Sequence, residues 1–252
     1  MRALLLLLVL LAAPLRAAEP RLITDLSQSR IDISYRFAGA ELLIFGAIQY
    51  PGGIAPADPP GIAVVLRGPA DPLTVRQKER VAGVWMNTQA LRFESAPGFY
   101  AVSTTAPIRD LLDERNAAIY EIGLRHLQLS PATAADPDTT RRFQDGLVNL
   151  RSREGLFVEQ PYGVNITDRV LYRARIPIPS AVPVGNYRVE IYLIGKGEVR
   201  ARSTAPVIID KTGFERDIYL FAHDHALLYG MSAVAIALAL GWLAGMLRRR
   251  VA

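Results

Sequence analysis

Hydrophobic and polar positions along the chain change rhythm several times. In RIDISYRF (30–37), Ile31, Ile33 and Tyr35 alternate with Asp32, Ser34 and Arg36, the period-two pattern of a half-buried strand. ELLIFGAI (41–48) is a more continuous apolar run and predicts a more fully buried strand. PGGIAPADPPG (51–61) is a loop by its proline and glycine content. GIAVVLRG (61–68) leads through the turn PADP into LTVRQKERVAGVWMN (73–87), and FYAVSTTAP (99–107) closes a first β-rich block, residues 19–107.

The rhythm then lengthens. Residues 109–129 hold helix formers, no proline, and apolar Leu111, Ala118, Ile122 and Leu129 near helical spacing. After the loop SPATAADPD, residues 139–155 predict a second, weaker helix with Asp138 as its N-cap, so 108–155 reads as a helical insert. Strands return over 156–216, in GLFVEQ, in 169–179 and in the hairpin 185–210. There Val189, Ile191 and Leu193 form the inward set, matched by Val199 and Ala201. A two-residue turn would place arginines opposite them, so register favours an odd turn pairing Leu193 with Val199 and Glu190 with Arg202. The chain is expected to be mainly β, an antiparallel, immunoglobulin-like sandwich with a helical insert. One sandwich carrying the insert and two small sandwiches both fit the pattern.

The two ends carry the longest apolar runs. Arg2, the run Leu4–Ala13 and the small residues Ala17 and Ala18 predict a cleaved secretory signal over 1–18. Residues 217–225 form a juxtamembrane segment. Ala226–Leu247 has no charged position and predicts one C-terminal transmembrane helix, with Arg248, Arg249 and Arg250 in a cytoplasmic tail, 248–252. The implied location is the bacterial inner membrane, single-pass, with the N-terminal region periplasmic.

Charge and cysteine content narrow the function classes. Five of the 29 basic residues are Arg2, Arg16 and Arg248–Arg250, and the other basic residues balance the 24 acids, all of which lie between Glu19 and Asp224. The exported region is therefore formally neutral, which excludes nucleic acid as a partner. The absence of cysteine excludes disulfides, thiol chemistry and cysteine-ligated metals.

Candidate chemistry is sparse. His223, Asp224 and His225 precede the C-terminal apolar run, but histidines two apart on a helix diverge by about 200°, and His126 would have to complete a set. They read as polar groups at a bilayer surface, with no metal and no cofactor. No G-x-S-x-G elbow or phosphate loop occurs. The pairs Arg173/Arg175 and Arg200/Arg202 each share a strand face. They are candidates for holding a small anion, against a reading as cross-strand ion pairs. Trp85 is read as a core plug ahead of a partner-facing aromatic. Ala233, Ala237, Gly241 and Gly245 recur at every fourth position, a stripe suited to packing on another helix, of an inner-membrane protein or of a second copy.

Taken together, VRQKERVAGVWMN, FYAVSTTAPIRDLL, LYRARIPIPSAVPVGNYRVEIYL and Tyr229-Gly230 with the apolar run resemble a family of alphaproteobacterial transmembrane proteins, over nearly the whole chain. The resemblance carries over no catalytic residue. It implies an accessory role beside an inner-membrane permease resembling sulfite exporters. The expected function is thus a membrane-anchored periplasmic accessory or interaction module. A periplasmic small-anion binding or sensing protein is the alternative, and an enzyme the third reading.

Overall fold

A computed structural model describes residues 19–33, 38–211 and 214–251. In chain order the elements are β1 (Arg21–Leu26), β2 (Arg30–Ile33), β3 (Ala40–Gln49), β4 (Gly61–Arg67), β5 (Ala70–Val81), β6 (Val84–Pro97) and β7 (Tyr100–Thr104). Then follow α1 (Ile108–Leu111), α2 (Glu114–Ile119), β8 (Ser130–Pro131), α3 (Pro137–Arg153), β9 (Phe157–Gln160), β10 (Val164–Thr167) and β11 (Leu171–Ile178). The chain ends in β12 (Gly185–Gly195), β13 (Glu198–Lys211), α4 (Phe214–Asp224) and α5 (Ala226–Val251).

Two sheets share one hydrophobic core. The first has the order β1-β3-β11-β10 and the second β2-β13-β12-β4-β7-β9. β3 pairs with β11 and β4 with β12, so strands from before and after the helical insert are laced into the same sheets. β11 shows why the sequence pattern works: Tyr172, Ala174, Ile176 and Ile178 are buried while Leu171, Arg173, Arg175 and Pro177 face solvent. β4 is buried on both faces over Gly61–Leu66 because its outer side lies beneath the segment 108–129. The fold is mainly β as expected, but the ten strands of these two sheets divide four and six, with a parallel pair at each edge of the larger sheet (β2 with β13, β7 with β9). That departs from the immunoglobulin division of seven strands into four and three.

Three local expectations change. Residues 109–129 are not one helix: α1 and α2 are single turns, followed by a 3-10 turn at Leu124–His126. Asp113 is extended between the two helices and Gly123 sits at φ 107°, and a Cβ there would lie 2.8 Å from Ile108 Cδ1. α3 begins two residues earlier than its pattern indicates, because Asp136, not Asp138, accepts the N-cap hydrogen bond from Thr139 N at 3.0 Å. The β12–β13 hairpin has a two-residue turn, Lys196-Gly197, with both residues at positive φ. A bulge at Arg200 then sets Leu193 opposite Ala201 and Ile194 opposite Val199, with Glu190 opposite Thr204 and Arg202 on the diagonal. The bulge corrects the alternation that an odd turn was expected to correct.

β5 and β6 form a long hairpin extending from the sandwich. Its base packs on α3 through a second small core of Leu91, Phe93, Ala96, Leu129, Phe143 and Leu147. Beyond Gln77 the strands are exposed on both faces, and the turn Ala82-Gly83 again uses two positive φ angles.

The expectation of a membrane-crossing helix over Ala226–Leu247 is not met. Among the described residues, no helix is long and apolar enough to cross a membrane. The expected signal over 1–18 and the side chains of Gly245 and Arg248–Arg250 lie outside the described residues.

Candidate functional site

The strongest concentration of polar chemistry lies on the outer face of the larger sheet, beneath the segment 108–129. Strand pairing brings Arg67, Tyr100, Glu190, Tyr192 and Arg202 onto that face from β4, β7, β12 and β13. Glu190 is 3% exposed, and a carboxylate so placed must be matched by cations and donors. Arg67 Nε donates to Glu190 Oε2 at 3.1 Å and Tyr192 OH donates to the same oxygen at 3.1 Å, while Arg202 Nη2 takes Oε1. Arg67 Nη1 bonds Glu121, and Nη2 donates to the carbonyls of Tyr120 at 2.8 Å and Glu121 at 3.2 Å. Tyr100 OH donates to Glu121 O at 2.8 Å and accepts from Gly123 N at 2.9 Å. The guanidiniums of Arg67 and Arg202 each lie 5.5 Å from a ring centroid, of Tyr100 and Tyr192.

Electrostatics follow from this packing. Burial alone would lower the Arg67 guanidinium, yet Tyr100, Glu121 and Glu190 together hold it above its ordinary value. Burial pushes the Tyr192 phenol up to about 12, with Glu190 adding to the rise, and raises Tyr100 further. Both oxygens of Glu190 are occupied, so its buried carboxylate is matched within the cluster. It is a clasp that fastens segment 108–129 to the sheet. Beside it opens a cleft of about 380 Å³ lined in part by Arg67, Glu121, Gln128, Asn186 and Arg188.

The arginines singled out in the sequence do not converge. Arg173 and Arg175 are exposed on the outer face of the smaller sheet, where Arg175 Nε lies 3.3 Å from Glu41. Arg200 and Arg202 belong to the other sheet: Arg200 Nη2 pairs with Glu198 at 3.1 Å, and Arg202 with Glu190. These two line an open groove of about 920 Å³ together with Arg21 and Glu19. His126 bonds Ile122 O and Glu114, whereas His223 sits in α4, bonded to Tyr219 O at 3.0 Å and stacked on the Tyr219 ring. Among the described residues, no three His, Asp or Glu side chains gather where a cation would sit.

Ala233 and Ala237 are exposed on α5, and a Cβ on Gly241 would meet nothing within 4 Å, so this much of the stripe is an open surface. Trp85 corrects its expectation outright: it stands 68% exposed at the tip of the β5–β6 hairpin, beside exposed Val81, Val84 and Met86. Arg67 and Glu121 were not singled out in the sequence. For Arg67 the available signal was an arginine ending the otherwise apolar GIAVVLR; nothing in the sequence around Glu121 sets it apart.

The model of a family described as "Putative transmembrane protein (Alph_Pro_TM)" matches residues 21–250. No curated protein matches the chain. Among solved structures, the crystal structure of Spo0M, a sporulation control protein from Bacillus subtilis, is similar at a TM-score of 0.29 and 7% identity. The similarity covers 82% of this chain and 56% of that one, so the chain spans little more than half of that protein's length. A likeness at this level carries no functional argument.

Proposed function

The chain belongs to the Alph_Pro_TM family, and on that premise we propose that it is an accessory module held at the bacterial inner membrane. Its β-rich body lies on the exported side and docks against an inner-membrane protein through α5. The observation that carries this reading is the surface of α5. Leu227, Leu238 and Trp242 are 76%, 70% and 69% exposed, with Val234, Ile236 and Leu240 also in the open and no charged side chain between Ala226 and Trp242. Apolar surface of that extent is costly in water and marks a contact with lipid or protein. The small side chains of Ala233, Ala237 and Gly241 give a facing helix a place to approach closely, whether from a permease resembling sulfite exporters or from a second copy. The small-anion reading lacks an assembled site, since its arginines lie on two sheets and three of the four are already paired with carboxylates.

Chemical crosslinking in native membranes, followed by affinity purification of the full chain and mass spectrometry, tests the proposal. Recovery of an inner-membrane permease, or of a crosslinked dimer, supports docking through a membrane neighbour. A chain recovered alone overturns it.

A further inference from the structure

The β5–β6 hairpin is longer than its packing needs. Past Gln77 it runs on as a bare two-stranded ribbon of four paired residues a side, roughly 13 Å at ~3.3 Å per residue. A lone ribbon exposed on both faces gains little stability for itself, and its end is apolar rather than polar. Val81, Val84, Trp85 and Met86 are 46%, 63%, 68% and 52% exposed.

The two faces of the ribbon differ. Val81 pairs with Val84 and Glu79 with Met86, and by alternation these share the face on which Leu73 and Val75 enter the small core. Arg80 pairs with Trp85 and Lys78 with Asn87 on the opposite face, which also bears Arg76 and, past the bulge in β6, Arg92. That face has four cations and no carboxylate between Thr74 and Arg92, since Glu79 points the other way and is bonded by Gln77 at 2.7 Å. The ribbon is therefore an apolar tip with an amphipathic indole, followed along one side by a row of cations.

We propose that this tip, Val81–Met86, seats in the headgroup layer of an anionic bilayer. Trp85 would lie at the interface, and Arg80, Lys78 and Arg76 at successive heights against lipid phosphates. This rests on the reading that the body lies at a membrane surface, and it adds a second point of contact far in sequence from α5. Charge and area favour lipid over a protein partner. Indole at the interface with cations behind it is the usual pattern of interfacial anchors. The four tip side chains expose on the order of 400 Å², about half of the ~800 Å² that one partner gives to a stable protein interface.

The test uses the full chain with Trp242→Phe, which leaves Trp85 as its one indole. It is reconstituted in nanodiscs of equimolar phosphatidylglycerol and phosphatidylcholine, or of phosphatidylcholine alone, with and without brominated acyl chains. Blue-shifted Trp85 emission quenched by the brominated lipid in the anionic discs, and weaker quenching in the neutral ones, is the expected result. Replacing Arg76, Lys78 and Arg80 together by Gln should lower the seated population on the order of hundredfold, since each cation near an anionic surface contributes roughly fivefold. Trp85 that stays at water-like emission while the chain is bound to the discs overturns the tip contact and leaves docking through α5 intact. A chain that stays off the discs overturns both. A tip that becomes buried only in native membranes, and crosslinks there to a protein, also overturns the lipid assignment.

Discussion

Replacing Arg67 by Met keeps an unbranched side chain in place while deleting the guanidinium at the centre of the clasp. Four interactions go: those to Glu190 Oε2 and Glu121, and the hydrogen bonds to the carbonyls of Tyr120 and Glu121. Glu190 stays behind with its side chain 4% exposed, still held by Arg202 and Tyr192. Removing one member of a buried ion pair costs about 3–5 kcal/mol. The remaining partners place Arg67→Met at the low end, near ~3 kcal/mol, or about 6–12 °C in Tm at 2–4 °C per kcal/mol for a chain of this size. Urea unfolding of the full chain in mild detergent, followed by near-UV circular dichroism, measures it. Adding Glu190→Leu removes the stranded carboxylate, and the double variant should recover on the order of 1–3 kcal/mol relative to the sum of the single losses. A loss below ~1 kcal/mol for Arg67→Met, or strict additivity in the double variant, refutes the clasp.

Three further outcomes follow from the same coordinates. Gly46→Ala places a Cβ 2.0 Å from Ile23 O and 2.5 Å from Tyr172 OH, so it should cost ~1–3 kcal/mol or more, as overpacking does, and show as a lowered Tm. Tyr192 titrates near 12 in the folded chain against 10.0 ordinarily. Both states keep the proton below pH 10, and the unfolded chain loses it first above that, so stability should fall as pH rises from 10 to 12. Tyr192→Phe should make that fall shallower, with Tyr100 and Tyr187 supplying the remainder. Millimolar sulfate or sulfite should leave Tm unchanged, and Arg173→Ala with Arg175→Ala should stay within about 0.5 kcal/mol of the parent. An oxyanion gain that this double variant abolishes would revive the anion reading.

Strands were legible wherever one face is buried and the other wet, as in β11, because side-chain alternation writes burial directly into the sequence. β4 was legible as a buried run, although periodicity gives no hint of what covers its second face. The segment 108–129 misled because Leu111, Ala118, Ile122 and Leu129 stand near helical spacing, whereas the side chains it buries against the sheet, Leu112, Ala117 and Ile122, fall five apart and follow the sheet surface. The turn at Lys196-Gly197 needed the bulge at Arg200, and no residue type announces a bulge. The clasp was half visible: Glu190 and Arg202 lie twelve residues apart in one hairpin, whereas Arg67 and Glu121 reach it only through tertiary packing. Trp85 misled for a different reason. Burial is the ordinary fate of an indole, whereas Trp85 stands on a hairpin tip that neither core reaches.

The central claim is that α5 docks on a membrane neighbour, and a photo-crosslinking residue at Ala237 tests it most directly. Ala237 lies on the small-residue surface with Ala233 and Gly241, so a docked helix would be within reach of the probe. Irradiation of native membranes should give one discrete protein adduct, identified by mass spectrometry as an inner-membrane permease or a second copy. The adduct should be lost when Gly241→Leu adds bulk to the stripe. Lipid adducts alone, or a protein adduct indifferent to Gly241→Leu, would contradict the account.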